Sequence, residues 1–242
     1  MALLLRVQVS LLTPKKGKGI MEWVLMKAEL LFITPDAERL IEKAAKVSYQ
    51  SKPAITIEEA RAFIKKLIGK KHDSVLEHGL ATVKLSGVSR ALTHQLIRHR
   101  LSSYTQKSQR YCDERNLEVV VPRAIVDNED AFGMFDQAMF EAERSYRELL
   151  DLGIKKEDAR YVLPNATASE IVVTNNFRQW RKVFTLRLSP HAQDEIRRAM
   201  SLCHRLIDEY VPSVFDDFEN PFWDEIHFGI SDADNDTACY EE

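Results

Sequence analysis

Leu80-Ala81-Thr82-Val83-Lys84-Leu85-Ser86 alternates residue by residue, with Ala81, Val83 and Leu85 on one side and Thr82, Lys84 and Ser86 on the other. Neighbouring side chains of an extended chain point to opposite faces, so this pattern predicts a half-buried strand. Before it, β-forming residues over 23–33, with Lys27 and Glu29 alternating, predict a first strand. Thr34-Pro35 then reads as the cap and first residue of a helix over 37–46. Thr56 and Glu59 form a capping box for a second helix, whose Ala60, Phe63, Ile64 and Leu67 recur at helical spacing up to Gly69.

Downstream, 88–100 reads as a helix with Val88, Ala91, Leu92 and Leu96 inward, 101–111 as a polar loop, and 118–121 as a short strand closed by Pro122. A long amphipathic helix is predicted from a cap at Asn128 to Leu152, with Phe132, Phe135, Met139, Ala142, Tyr146 and Leu149 in one stripe and Gly153 as its stop. Residues 155–163 form a short helix, 165–187 is helical at least from Ser169, and Ser189-Pro190 opens a last helix with Ala192, Ile196, Met200, Cys203 and Leu206 inward. Helices outnumber strands and do not alternate with them regularly. That predicts an α+β fold, a mixed or largely antiparallel sheet flanked by helices, instead of a doubly wound one. Residues 1–20 read as an extension broken by Pro14, with Met21 or Met26 as alternative starts; 21–230 read as one domain and 231–242 as an acidic tail.

The 242 residues carry a net charge of −3, with 45% hydrophobic and 29% charged residues, which fits a globular chain and argues against a general duplex-DNA binder. Cys112, Cys203 and Cys239 are too few and too scattered for a disulfide framework, and Lys15, Lys16 and Lys18 follow the apolar start instead of preceding it. A reducing, cytoplasmic setting is expected, with no membrane span. There is no GxGxxG and no GxxxxGK[ST], so a bound nucleotide would be held by side chains. His72, His78, His94 and His99 lack HExxH spacing, and no metal site is expected.

Against that background one stretch stands out: Arg98-His99-Arg100-Leu101-Ser102-Ser103-Tyr104-Thr105-Gln106-Lys107-Ser108-Gln109-Arg110-Tyr111. Its cations are interleaved with hydroxyls and amides, and no acid occurs between Glu77 and Asp113. Guanidinium forks pair with phosphate oxygens, and hydroxyls or amides complete the shell. Residue chemistry alone leaves two readings open, a phosphate or nucleotide site and a solvated charged loop.

Arg98-His99-Arg100, seven residues, Ser108 and then Arg110-Tyr111 resemble the signature of the flavin-dependent thymidylate synthases. The likeness extends to Leu76-Glu77-His78, to Ser89 through Gln95, to Ala159 through Pro164, and to Asn176-Phe177-Arg178, Leu186-Arg187 and His191-Ala192-Gln193, covering about residues 26–215. It implies a thymidylate synthase-complementing fold, a catalytic domain over 21–230, and a homotetramer with active sites shared between subunits. It also implies reductive methylation of dUMP to dTMP, with 5,10-methylenetetrahydrofolate as carbon donor and NADPH acting through FAD.

By the same resemblance FAD would meet His72, Ser74, Glu77, Arg98, His99, Arg100, Gln106, Asn176, Arg178 and Lys182, the last standing where the family more often has His or Asn. The nucleotide would meet Gln95, Leu96, Ile97, Arg98, Gln106, Lys107, Ser108, Gln109, Arg110, Arg160 and Arg187. Arg187 would stabilise charge on the pyrimidine without a cysteine nucleophile. No activating pair accompanies Ser108, which is therefore assigned to phosphate. A nucleic-acid module gripping RNA or single-stranded DNA through 98–111 is the competing class, disfavoured by the overall acidity. A catalytically dead relative is disfavoured by the presence of Arg187.

Overall fold

The computed structural model describes residues 7–11, 21–48 and 50–230. Its centre is β4 (Leu80–Ser89), the opening strand of the sequence reading, three residues longer than alternation alone predicts. Ala81, Val83 and Leu85 are fully buried, as the pattern requires. A register irregularity between Leu85 and Val88 lets the strand run on to Ser89. Gly87 makes this possible: its φ is +64°, and a Cβ there would lie 2.1 Å from the carbonyl oxygen of Leu25.

β4 pairs antiparallel with β3 (Lys27–Ile33) on one side and with β7 (Ala168–Asn176) on the other. β5 (Ser103–Gln106) adds to β7, while β1 (Val7–Leu11) and β8 (Ile226–Ile230) extend the β3 side, giving the order β5-β7-β4-β3-β1-β8. All of these pairings are antiparallel. A small parallel pair, β2 (Glu22–Trp23) with β6 (Glu118–Val119), lies apart. The predicted first strand is thus divided between two sheets, and Val7–Leu11, inside the stretch read as an extension, takes a place in the main one. Residues 231–242 lie outside the described residues.

The helices cover the buried face. α1 (Ala37–Val47) starts from Asp36 in the left-handed region, not from Thr34, whose hydroxyl instead accepts from Leu80 N at 3.0 Å. α2 (Ile57–Gly69) has the expected Thr56–Glu59 capping box. α3 (Arg90–Leu96) is shorter than predicted, because Ser89 caps it and the chain turns at Ile97. After it, Ser103–Gln106 is a strand, although its polar composition reads as loop. α4 (Arg123–Val126) precedes α5 (Glu129–Asp151), the long helix capped by Asn128 as expected.

The predicted helix over 155–163 resolves into α6 (Lys156–Ala159) and a 3-10 turn at Arg160–Val162. The largest correction falls on 165–187. Its first part is β7, and only Phe177–Arg187 is helix α7. The last long helix, α8 (Asp194–Asp208), begins four residues after Pro190, and Pro212–Phe215 forms α9. Ile196, Met200, Cys203 and Leu206 are fully buried on the face predicted for them.

Candidate active site

Two junctions create the site. The first is the turn between α3 and β5, which carries Arg98-His99-Arg100. It is tied down where His99 N donates to Leu96 O (3.1 Å) and where Tyr104 Oη donates to Leu96 O (2.7 Å) and His99 O (3.2 Å). The second is the passage from β7 into α7. Asn176 ends the strand and caps the helix by accepting from Gln179 N at 2.8 Å. Phe177 is fully buried and packs so closely on Gly79 that a Cβ there would lie 2.3 Å from its ring. Trp180 Nε1 donates to Ala81 O at 3.1 Å, which fixes α7 over β4.

Between these junctions lies a recess of about 490 Å³ lined by Arg98, His99, Arg100, Leu101, Gln179, Lys182, Leu186 and Arg187. Gln179, Lys182 and Leu186 stand three and four residues apart, on one face of α7. His99, 7% exposed, is held by Arg187, whose Nε donates to His99 Nε2 at 3.0 Å while its Nη2 donates to Gln95 O at 3.1 Å. The ring therefore accepts through Nε2, and its neutral form carries the proton on Nδ1. Burial, then the cations of Arg187 and Lys182, push the His99 pKa down from 6.5 to about 4. Among the described residues, Arg98, Arg100 and Lys182 have no carboxylate partner.

This arrangement has a consequence for stability. Between pH 6.5 and about 4 an unfolded chain holds more proton on His99 than the folded one, so lowering pH through that window weakens the fold; above it His99 contributes nothing. Urea unfolding of the ligand-free protein should show a shallower loss over this window in His99→Gln than in the parent. His204, also pushed down by burial, keeps its share in both. Identical slopes would contradict the placement of His99 against Arg187.

The remaining sequence-predicted residues fall into two further groups on the single chain. His72, Ser74 and Arg178 line a second recess of about 370 Å³, beside which Arg178 Nη1 donates to Glu77 Oε1 at 2.5 Å. Elsewhere Arg110 pairs with Glu157 (3.0 Å), Arg160 Nε donates to Glu157 O (3.0 Å), and Lys107 pairs with the buried Glu114 (3.0 Å). Two of the four cations in the 98–111 stretch therefore have carboxylates supplied from outside it. Arg90 lies near Arg160 and Glu114, and burial followed by Arg160 lowers its pKa.

Gln106 Nε2 donates to Thr93 Oγ1 (3.0 Å) and Ser169 Oγ (3.1 Å), and the Gln95 amide donates to Gln193 Oε1. Leu96 is fully buried in the core, Ile97 is 42% exposed, and Gln109 is buried. Ser108 Oγ accepts from Arg110 N at 3.3 Å. The sequence reading did not name Gln179, Leu101 or Leu186 for this site; the helical spacing from Lys182 would have found the first and last.

Cys203 is fully buried, and burial pushes its thiol up. Among the described residues no three His, Cys, Asp or Glu side chains gather at metal-binding spacing, and no helix is long and apolar enough to cross a membrane.

The family model described as "Thymidylate synthase complementing protein" matches residues 29–213. The chain is 40% identical over 200 residues to a flavin-dependent thymidylate synthase of Geobacter sulfurreducens, covering 79% of this chain and 86% of that protein. It is 40% identical over 197 residues to one from Mycolicibacterium gilvum (74% and 79% covered) and over 206 residues to one from Mycobacterium tuberculosis (77% and 82% covered). The match spans β3 to α9 and so includes both junctions of the recess. The chain belongs to the thymidylate synthase complementing family, that of the flavin-dependent thymidylate synthases.

Proposed function

We propose that this protein is a flavin-dependent thymidylate synthase that methylates dUMP to dTMP in the cytoplasm, taking carbon from 5,10-methylenetetrahydrofolate and reducing power from NADPH through FAD. The observation that carries the reading is the recess where Arg98, Arg100 and Lys182 face open space with no carboxylate partner among the described residues, beside an Arg187 braced by His99. Like charges so gathered repel one another unless an anion joins them, and a pyrophosphate or phosphate oxygen meets that need. The residues present therefore fit a phosphorylated cofactor.

Bound FAD would supply hydride transfer; the side chains supply placement and field. Arg98, His99, Arg100 and Lys182 would hold it from this recess, and His72, Ser74, Glu77, Asn176 and Arg178 from the α1–α2 side, with Gln106 between flavin and nucleotide. Gln95, Lys107, Ser108, Gln109, Arg110 and Arg160, with the backbone around Leu96 and Ile97, would hold dUMP. A homotetramer with shared sites accounts for the division: groups separated on one chain would meet across an interface. Leu101, 79% exposed, and Leu186, 51% exposed, form an apolar lip at the recess that a second copy would cover.

Arg187 is the group placed to act on the pyrimidine. Nε and Nη2 are committed to His99 and Gln95, which leaves the Nη1 end of the fork for charge developing on the ring. The burial of Cys203 supports a route without a cysteine nucleophile. The direct test is NADPH oxidation in the presence of FAD and methylenetetrahydrofolate, which should require dUMP and yield dTMP; oxidation indifferent to dUMP would refute the assignment. Arg98→Ala should weaken FAD and dUMP each by about tenfold or more, the loss typical of charged hydrogen bonds. Calorimetric titration giving parental affinity for both would remove Arg98 from the site.

A further inference from the structure

Gln179 is only 5% exposed, yet its carboxamide makes no hydrogen bond to any described residue. Its backbone N–H is used by the Asn176 cap. The side chain does not fill a sealed gap: it lines the same recess as Arg98, His99, Arg100 and Arg187. The carboxamide opens onto the recess instead of being sealed off, so a ligand entering there finds its donor and acceptor uncommitted. A glutamine held in this state on the wall of a cationic recess has the character of a group waiting for its partner.

We propose that Gln179 is a ligand-binding residue whose carboxamide pairs with the imide edge of a heterocycle, the C=O and N–H pattern that isoalloxazine and uracil share. This rests on the flavin and nucleotide reading above. The side chain carries an acceptor oxygen and a donor NH₂ next to one another, matching an N–H beside a C=O. Phosphate would use only the donor, and Arg98, Arg100 and Lys182 already provide cations for it. Position supports the same division of labour. Gln179 lies on α7 one turn before Lys182 and two turns before Arg187, so cations bracket the recess while the neutral amide faces its wall.

The test uses the full chain freed of bound flavin and compares the parent with Gln179→Met, which keeps length and loses both hydrogen-bonding groups; Gln179→Leu provides a second shape. Titration with FAD alone and with dUMP alone forms the two arms. Loss of about 2- to 12-fold in affinity is expected in one arm, the range for one or two neutral hydrogen bonds. A loss in the FAD arm assigns the isoalloxazine edge, and a loss in the dUMP arm assigns the uracil.

Parental affinity in both arms would overturn the proposal, leaving the flavin reading intact. A parent that itself bound neither ligand would remove both.

Discussion

Arg187→Ala is expected to keep the fold and bound FAD while losing about 10²–10³-fold in turnover, the usual effect of removing one preorganised group from a developing charge. Arg187 ends α7, where the helix carbonyls favour a cation, and its guanidinium is aimed by His99 Nε2 and Gln95 O. Removing it leaves Arg98, Arg100 and Lys182 in place, so flavin affinity should change far less than kcat. It also removes one of the two cations that depress His99, whose pKa should rise from about 4. Arg187→Lys should recover part of the rate, since it restores charge but not the fork. Steady-state kinetics together with the visible spectrum of the variant separate these effects. Parental turnover in Arg187→Ala would exclude a role for its charge.

The second large effect is structural. Trp180→Ala should destabilise the protein by about 3–5 kcal/mol, the cost of removing a large buried aromatic side chain. Trp180 is fully buried, stacks on Phe184 with ring centroids 5.4 Å apart, and donates to Ala81 O, which then loses a partner near the start of β4. At about 2–4 °C per kcal/mol for a chain of this size, the melting temperature should fall by roughly 6–20 °C. Because α7 bears Gln179, Lys182 and Arg187, ligand binding should fail along with the fold. A melting temperature within about 2 °C of the parent would mean that α7 is not anchored to β4 through this ring.

Periodicity made some elements readable. The 80–86 alternation, the Thr56–Glu59 box and the Asn128 cap are local signals, and each lies where the sequence put it. The failures have physical causes. β7 contains Ile171-Val172-Val173-Thr174, a β-branched run whose true period shows only in burial, with Ile171, Val173 and Asn175 inward. Val172, half-buried on the opposite face, makes the apolar run continuous and obscures the alternation. β5 is polar throughout and is a strand only because its backbone pairs with β7, a contact that composition cannot report. α3 starts late and β4 runs late for one reason: Ser89 caps the helix while Gly87 lets the strand continue past its bulge.

The site was legible as chemistry but not as geometry. The clustering of Arg98, His99 and Arg100 is visible along the chain, whereas Arg187, 88 residues away from His99, joins them only through α7. Lys107 and Arg110 look equally unpaired in sequence, yet Glu114 and Glu157 fold back onto them. Gln179 carries no local mark, since only its burial without a partner distinguishes it from any helical glutamine.

The proposed activity depends first on the cations around Arg187 holding a flavin. Titrating FAD into the purified protein while recording visible absorbance tests it most directly. Saturable uptake with a shift of the flavin bands, or a preparation already yellow, is expected. A colourless protein whose spectrum with added FAD is the simple sum of the two components would contradict it.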